Sequence, residues 1–250
     1  MQRREYKING FGLEICANSI ASAKAAEQGG ATRIELCQSL ELGGTTPSWG
    51  LLKNVLHETE LGVHVLIRPR TGGFVYSPDE VKEMIDDIKQ CKDLGASGVV
   101  VGALTVEGEV DTTVMKDLIK AAEGMTLVFH RAFDRCKDPL HSVRDIIDLG
   151  FDRILTSGQE SSAYKGRELL KKLVDEFGKD IEIMPGAGVN EENLEQIIGS
   201  TGVRSIHSSA KAIYPSSMVY ENPNFSEMNE PEIRSNEEKV RELVEILKKL

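Results

Sequence analysis

The sequence predicts a (β/α)8 barrel of the TIM type, and three observations carry that reading. The chain has 250 residues, the usual size of one such barrel. A short β-branched run, a polar turn, an amphipathic stretch and a glycine recur from end to end. The run occurs eight times, and eight parallel strands close a barrel.

The strands are expected at Leu13–Asn18, Thr32–Cys37, Val63–Arg68, Gly98–Gly102, Thr126–Arg131, Arg153–Ser157, Asp180–Pro185 and Val203–His207. Helical patterns fall between them, near 19–29, 48–58, 78–94, 111–123, 138–149, 164–177 and 190–199. Gly29-Gly30, Gly95, Gly150 and Gly202 each follow a helical pattern and suit the left-handed turn that ends it. Ser77-Pro78-Asp79-Glu80 and Asp138-Pro139 supply a cap followed by proline in the first turn. The pattern describes a single domain over 1–250, with the barrel at about 13–210. Residues 212–235, broken by Pro215, Pro223 and Pro231, read as an extra arm, and Asn236–Leu250 as a terminal amphipathic helix. A doubly wound open sheet is the alternative, but no Gly-rich phosphate loop follows the first strand, which runs into Cys16-Ala17-Asn18-Ser19.

Composition narrows the function. A net charge of −10 repels nucleic-acid backbones, so no nucleic-acid partner is expected. No run of about 20 apolar residues is present, and the amino terminus has no apolar core behind its basic residues. No membrane partner is expected. The four cysteines form no CxxC pair, which points to reduced thiols in the cytoplasm rather than a disulfide framework.

Strands one and two repeat one pattern, Leu13-Glu14-Ile15-Cys16 and Ile34-Glu35-Leu36-Cys37. Alternation sends the four aliphatic residues to the helix layer, and Glu14, Cys16, Glu35 and Cys37 into the barrel. Carboxylates there need partners, and Arg68, Arg70, His130 and Arg131 lie at other strand ends, with Asp134 just beyond. Such a cluster at the carboxyl ends of barrel strands reads as an active mouth. Glu14 and Glu35, with His130 as an alternative, are candidate acid–base groups, with Arg68 and Asp134 in the same catalytic set; Arg68, Arg70 and Arg131 would bind or polarise an oxyanion. Gly186 and Gly188 after strand seven, and His207, Ser208 and Ser209 after strand eight, occupy the place where barrel enzymes bind phosphate. The ligand would be a small phosphorylated or carboxylated metabolite. Each residue also has a plainer role open to it: paired ions that set register, a Gly-rich turn, or buried cysteines acting as small hydrophobes.

At these residues the sequence resembles the CutC family. The resemblance runs from Leu13 to about Ala210 and includes both Glu-x-Cys strands and Gly43-Gly44-Thr45-Thr46-Pro47-Ser48. It continues through Ile67-Arg68-Pro69-Arg70, Phe129-His130-Arg131-Ala132-Phe133-Asp134, Met184-Pro185-Gly186-Ala187-Gly188 and His207-Ser208-Ser209-Ala210. It implies a TIM-like barrel, a cytoplasmic homo-oligomer and a role in copper homeostasis. It also implies Cu(I) as a ligand, held by Cys16 and Cys37.

Overall fold

The computed structural model describes residues 6–220, 222–224 and 231–250. Eight parallel strands make one sheet: β1 (Gly12–Ala17), β2 (Arg33–Leu36), β3 (Gly62–Leu66), β4 (Gly98–Val101), β5 (Thr126–Phe129), β6 (Arg153–Thr156), β7 (Glu182–Pro185) and β8 (Ser205–Ser208). Their order is β8-β1-β2-β3-β4-β5-β6-β7, and the two end strands lie against each other, so the sheet curls into a barrel. All eight expected strands are present, with ends within two residues of the expected ones.

The helices α1 (Ile20–Gly29), α2 (Trp49–Glu58), α3 (Pro78–Leu94), α4 (Thr112–Ala121), α5 (Pro139–Asp148), α6 (Arg167–Phe177) and α7 (Leu194–Thr201) connect successive strands. Leu13, Ile15, Ile34 and Leu36 are fully buried in the large apolar core between strands and helices. A smaller core, with Cys16, Cys37, Leu66, Val100, Val128, Leu155 and Met184, fills the barrel interior. The alternation expected for β1 and β2 is therefore the one adopted. At α3 the Ser77 hydroxyl and the Glu80 carboxylate each accept a backbone N–H across the first turn, and Gly95 ends the helix at φ 84°. α7 starts four residues later than its pattern, because Asn190 and Asn193 close a turn first: the Asn190 N–H donates to Asn193 Oδ1 and the Glu192 N–H to Asn190 Oδ1.

The arm contains a two-stranded antiparallel ribbon, β9 (Lys211–Tyr214) with β10 (Glu232–Ser235). Residues 221 and 225–230 of the expected arm lie outside the described residues. The ribbon is fastened to β1 and the start of α1. The Ser235 hydroxyl donates to the Cys16 carbonyl at 3.1 Å, and the Asn18 side chain donates to the Ile233 carbonyl at 2.7 Å. The terminal helix, α8 (Glu237–Lys249), buries Val240, Leu243, Val244 and Leu247 and packs against α1 and α7. It thereby fills the eighth place in the ring of helices. Among the described residues no helix is long and apolar enough to cross a membrane.

The α1–α8 contact depends on one missing side chain. A Cβ on Gly29 would sit 2.5 Å from Val240 Cβ and 2.9 Å from the Glu237 carbonyl. Gly29→Ala must push α8 outward, and denaturant unfolding should show a loss of about 1–3 kcal/mol. Unchanged stability would mean that α8 is not seated this closely.

Candidate functional site

Strand register decides which interior groups meet. Glu14 is level with Arg33 on one side and His207 on the other. Its Oε2 accepts from Arg33 Nε at 2.8 Å and His64 Nδ1 at 3.1 Å, and its Oε1 from His207 Nδ1 at 2.8 Å. Burial alone would raise the Glu14 carboxyl, but the Arg33 charge and the two histidine hydrogen bonds hold it well below the usual carboxylate range. Arg33 is further fixed by the Ser205 hydroxyl at 2.6 Å. This saturated network forms a floor across the barrel.

Above that floor the mouth encloses a cavity of about 290 Å³. Glu35, level with Cys16, lines it. The Cys16 thiol donates to its Oε1 at 3.9 Å, and its buried Oε2 has no partner among the described residues. Burial pushes the Glu35 carboxyl up to about 7; the nearby Glu14 adds to the rise, while His207 and His64 oppose it. Two carboxylates with the same local sequence thus have opposite characters, one a fixed anion and the other poised to gain or lose a proton at neutral pH.

The Cys16 and Cys37 sulfurs lie 3.5 Å apart. The hydrogen bond shared with Cys37, burial and the negative charges nearby push the Cys16 thiol well above its ordinary value. His207 lines the cavity while Glu14 holds its Nδ1. One ligand atom from each of Cys16, Glu35 and His207 fits within 4.8 Å of the others, which is metal-ligand spacing.

Across the cavity, Arg68 is 6% exposed. Its guanidinium donates to the carbonyls of Leu42 at 3.3 Å, Gly44 at 2.7 Å and Gly72 at 2.8 Å, and it stacks 5.3 Å from the Phe74 ring. Among the described residues no carboxylate pairs with it, and its buried Nε has no partner. Beside it, His130 Nδ1 accepts the Ala132 backbone N–H at 3.1 Å, which begins the 3₁₀ turn Arg131–Arg135 and ends β5 two residues earlier than expected. Burial and the Arg68 charge push His130 down to about 3, so the ring is neutral.

Of the residues expected at the mouth, Cys16, Glu35, Arg68, His130, Arg131, Gly188, His207, Ser208 and Ser209 line the cavity. Glu14 lies in the floor, and Cys37 stands behind Cys16. Gly186 packs on Leu155, where a Cβ would come within 2.5 Å of Leu155 Cδ1. Arg70 turns away from the cavity. It pairs with Glu80 and donates to the Gly73 and Val75 carbonyls, so it braces the β3–α3 loop. Asp134 takes hydrogen bonds from Arg131 Nε, the Ser157 N–H and the Gln159 N–H, and so ties the β6–α6 loop to the 3₁₀ turn. The Ser208 hydroxyl donates to the Val189 carbonyl at 2.7 Å, leaving no proton for a ligand.

The sequence reading did not single out Leu40, Phe74, Ala187 or Lys211 as lining groups, nor Arg33 and His64 as the partners of Glu14. Arg33 shares the strand face of Glu35, and His64 that of Leu66, so period-two alternation could have found both. Ala187 has φ 78°, a strained conformation for a residue with a Cβ, and Gly188 follows at 71°. No sequence signal marks that strain.

The CutC family model matches residues 11–212. A family protein CutC of Bacteroides thetaiotaomicron is 47% identical over 219 residues, covering 86% of this chain and 87% of its own. Another from Xanthomonas campestris pv. campestris is 42% identical over 237 residues, covering 95% of this chain and 99% of its own. The crystal structure of a Streptococcus agalactiae CutC protein, named for copper homeostasis, superposes with a TM-score of 0.76 at 37% identity, covering 80% of this chain and 98% of that one.

Proposed function

This chain belongs to the CutC family, and we propose that its barrel mouth is an active site for a small phosphorylated or carboxylated metabolite, with Glu35 as the group that moves a proton. One observation carries the reading: Arg68, a buried cation with no carboxylate partner among the described residues, faces the same cavity as a carboxyl group poised near 7. A buried charge is costly unless something neutralises it, and here the neutralising group is the anionic end of a ligand. Arg131, Lys211 and the backbone around Gly188 line the same cavity and favour an anion as well. Glu35 then exchanges a proton with the ligand; of its neighbours, Cys16 is an undissociated thiol and His207 is held through Nδ1 by Glu14.

A second reading is Cu(I) binding, in keeping with the name of the S. agalactiae relative. Its support is the adjacent thiol pair with the His207 imidazole, a soft donor set. Two opposed metal–thiolate bonds of about 2.3 Å need roughly 4.6 Å between sulfurs. The 3.5 Å pair therefore has to open, and the raised Cys16 thiol has to give up its proton. A cavity lined by Arg68, His130 and Phe74 exceeds what one such ion uses. A cytoplasmic homo-oligomer, implied by the resemblance, belongs to either reading. Leu42, Trp49, Val75 and Val106, exposed on mouth-side segments, offer apolar surface for assembly.

One calorimetric experiment tests both readings. Inorganic phosphate and a panel of small carboxylates and phosphate esters are titrated into the protein at pH 7, and Cu(I) is titrated separately. At least one anion is expected to bind, and Arg68→Gln should weaken it about 30-fold or more. Absence of anion binding, together with stoichiometric Cu(I) uptake that vanishes in the Cys16→Ser/Cys37→Ser variant, would replace the first reading by the second.

A further inference from the structure

We propose that His130 is a neutral imidazole N–H donor that polarises a carbonyl oxygen of the substrate, so that the anionic metabolite carries a carbonyl next to an acidic C–H. This rests on the active-site reading above and narrows its substrate class.

The tautomer follows from geometry. His130 Nδ1 accepts the Ala132 backbone N–H at 3.1 Å, so it carries no proton of its own. A neutral ring then has its proton on Nε2. That atom is buried and makes no hydrogen bond among the described residues; His130 lines the cavity and is 4% exposed, so a substrate oxygen reaches Nε2 from there once the groups over it give way. An unanswered N–H in such a place costs roughly 1–3 kcal/mol. The ring cannot relieve this by turning over, because its Nδ1 caps the 3₁₀ turn and its faces are crowded. The Phe74 ring centroid lies 5.0 Å away, and a Cβ on Gly102 would come within 2.6 Å of Nδ1. The neighbouring Arg68 keeps the ring from taking a second proton and becoming an imidazolium. Hence His130 is neither a base nor a strong acid, and the remaining role is a fixed donor waiting for an oxygen.

The waiting oxygen is one on which negative charge develops. The Glu35 carboxylate removes the proton from the carbon next to the carbonyl. The C–H electron pair becomes the new C=C bond, and the carbonyl π pair moves to oxygen. The His130 N–H and the Arg68 charge stabilise that oxygen. Protonated Glu35 then returns the proton to that carbon as the oxygen pair re-forms the carbonyl, so atoms and charge balance without another reactant. A neutral donor is matched to a weakly acidic enol better than a cation would be, and the same device serves the neutral histidine of triosephosphate isomerase.

The test uses 2-phosphoglycolate, whose carboxylate mimics the charged enediolate, with inorganic phosphate as the control lacking that oxygen. In the unsubstituted full chain, long-range proton–nitrogen NMR should report His130 as neutral with its proton on Nε2 from pH 5.5 to 8. His130→Asn keeps an acceptor for the Ala132 N–H but withdraws the reach of the donor. It should weaken 2-phosphoglycolate about 10–100-fold and leave phosphate unchanged, with His130→Gln in between. A proton on Nδ1, an imidazolium at pH 7, or equal 2-phosphoglycolate affinity in wild type and His130→Asn would overturn the assignment while leaving the anion site standing. If neither probe binds, the active-site reading falls with it.

Discussion

Glu14→Leu is expected to lose about 3–5 kcal/mol of folding stability, the largest effect of any single substitution in the barrel interior. The substitution leaves Arg33, 3% exposed, as a charge with no counter-ion, and removes the acceptor shared by His64 and His207. The cost comes from stranding the guanidinium rather than from losing an attraction. Glu14→Leu/Arg33→Met should therefore recover most of the loss, because two apolar side chains replace a pair that had to be desolvated. Urea unfolding of the four proteins in this cycle measures the coupling. A double variant as unstable as the sum of the singles would mean that the floor works by another means. The pH dependence gives a second check. Glu14 has a lowered carboxyl pKa, so its contribution is present above the ordinary carboxylate range and is lost as pH falls through the lowered value. The leucine variant should lack that acid-induced loss.

The architecture was legible because a parallel barrel writes its layers into the chain directly. Each strand must present aliphatic groups to the helices, so Leu13, Ile15, Ile34 and Leu36 announced which neighbours faced inward. The division of labour inside was not legible. Glu14 and Glu35 sit in the same four-residue pattern, and only strand register separates them: Glu14 falls level with Arg33 and His207, Glu35 with Cys16. The expected third strand ends at Arg68, with Arg70 two residues on, yet β3 ends at Leu66, and the loop carries Arg70 to Glu80 at the start of α3. Ser208 was expected to offer a hydroxyl to an anion because of its position after strand eight. In the barrel it belongs to β8 itself, and it faces Val189. The role of α8 was open for a similar reason. Its apolar stripe told that it packs, while the gap left by Gly29 told where. Local pattern fixes the side on which a residue faces, and the contacts across the barrel fix what it meets there.

Glu35→Gln should abolish the proton chemistry of the site while making the protein more stable at alkaline pH. The stability sign follows from the folded carboxyl pKa of about 7 against an ordinary 4.5. Between those values the folded state holds a proton that the unfolded state has released, so stability falls as pH rises through that window. The favourable contribution is complete below about 4.5 and gone above about 7. A glutamine stays neutral throughout. Relative to wild type it should therefore gain stability progressively from pH 4 to pH 8, by on the order of 3 kcal/mol at the upper end. Denaturant midpoints at the two pH values measure this without knowledge of any substrate. Catalysis moves the other way: turnover of whichever anionic carbonyl compound is found should drop about 10²–10⁴-fold. The limb of the pH–rate profile near 7 should disappear, while inorganic phosphate still binds. Equal pH dependence of stability in wild type and variant would show that Glu35 is ionised in the fold. The cavity would then hold an ordinary carboxylate facing Arg68, and the case for a missing anionic ligand would go with it.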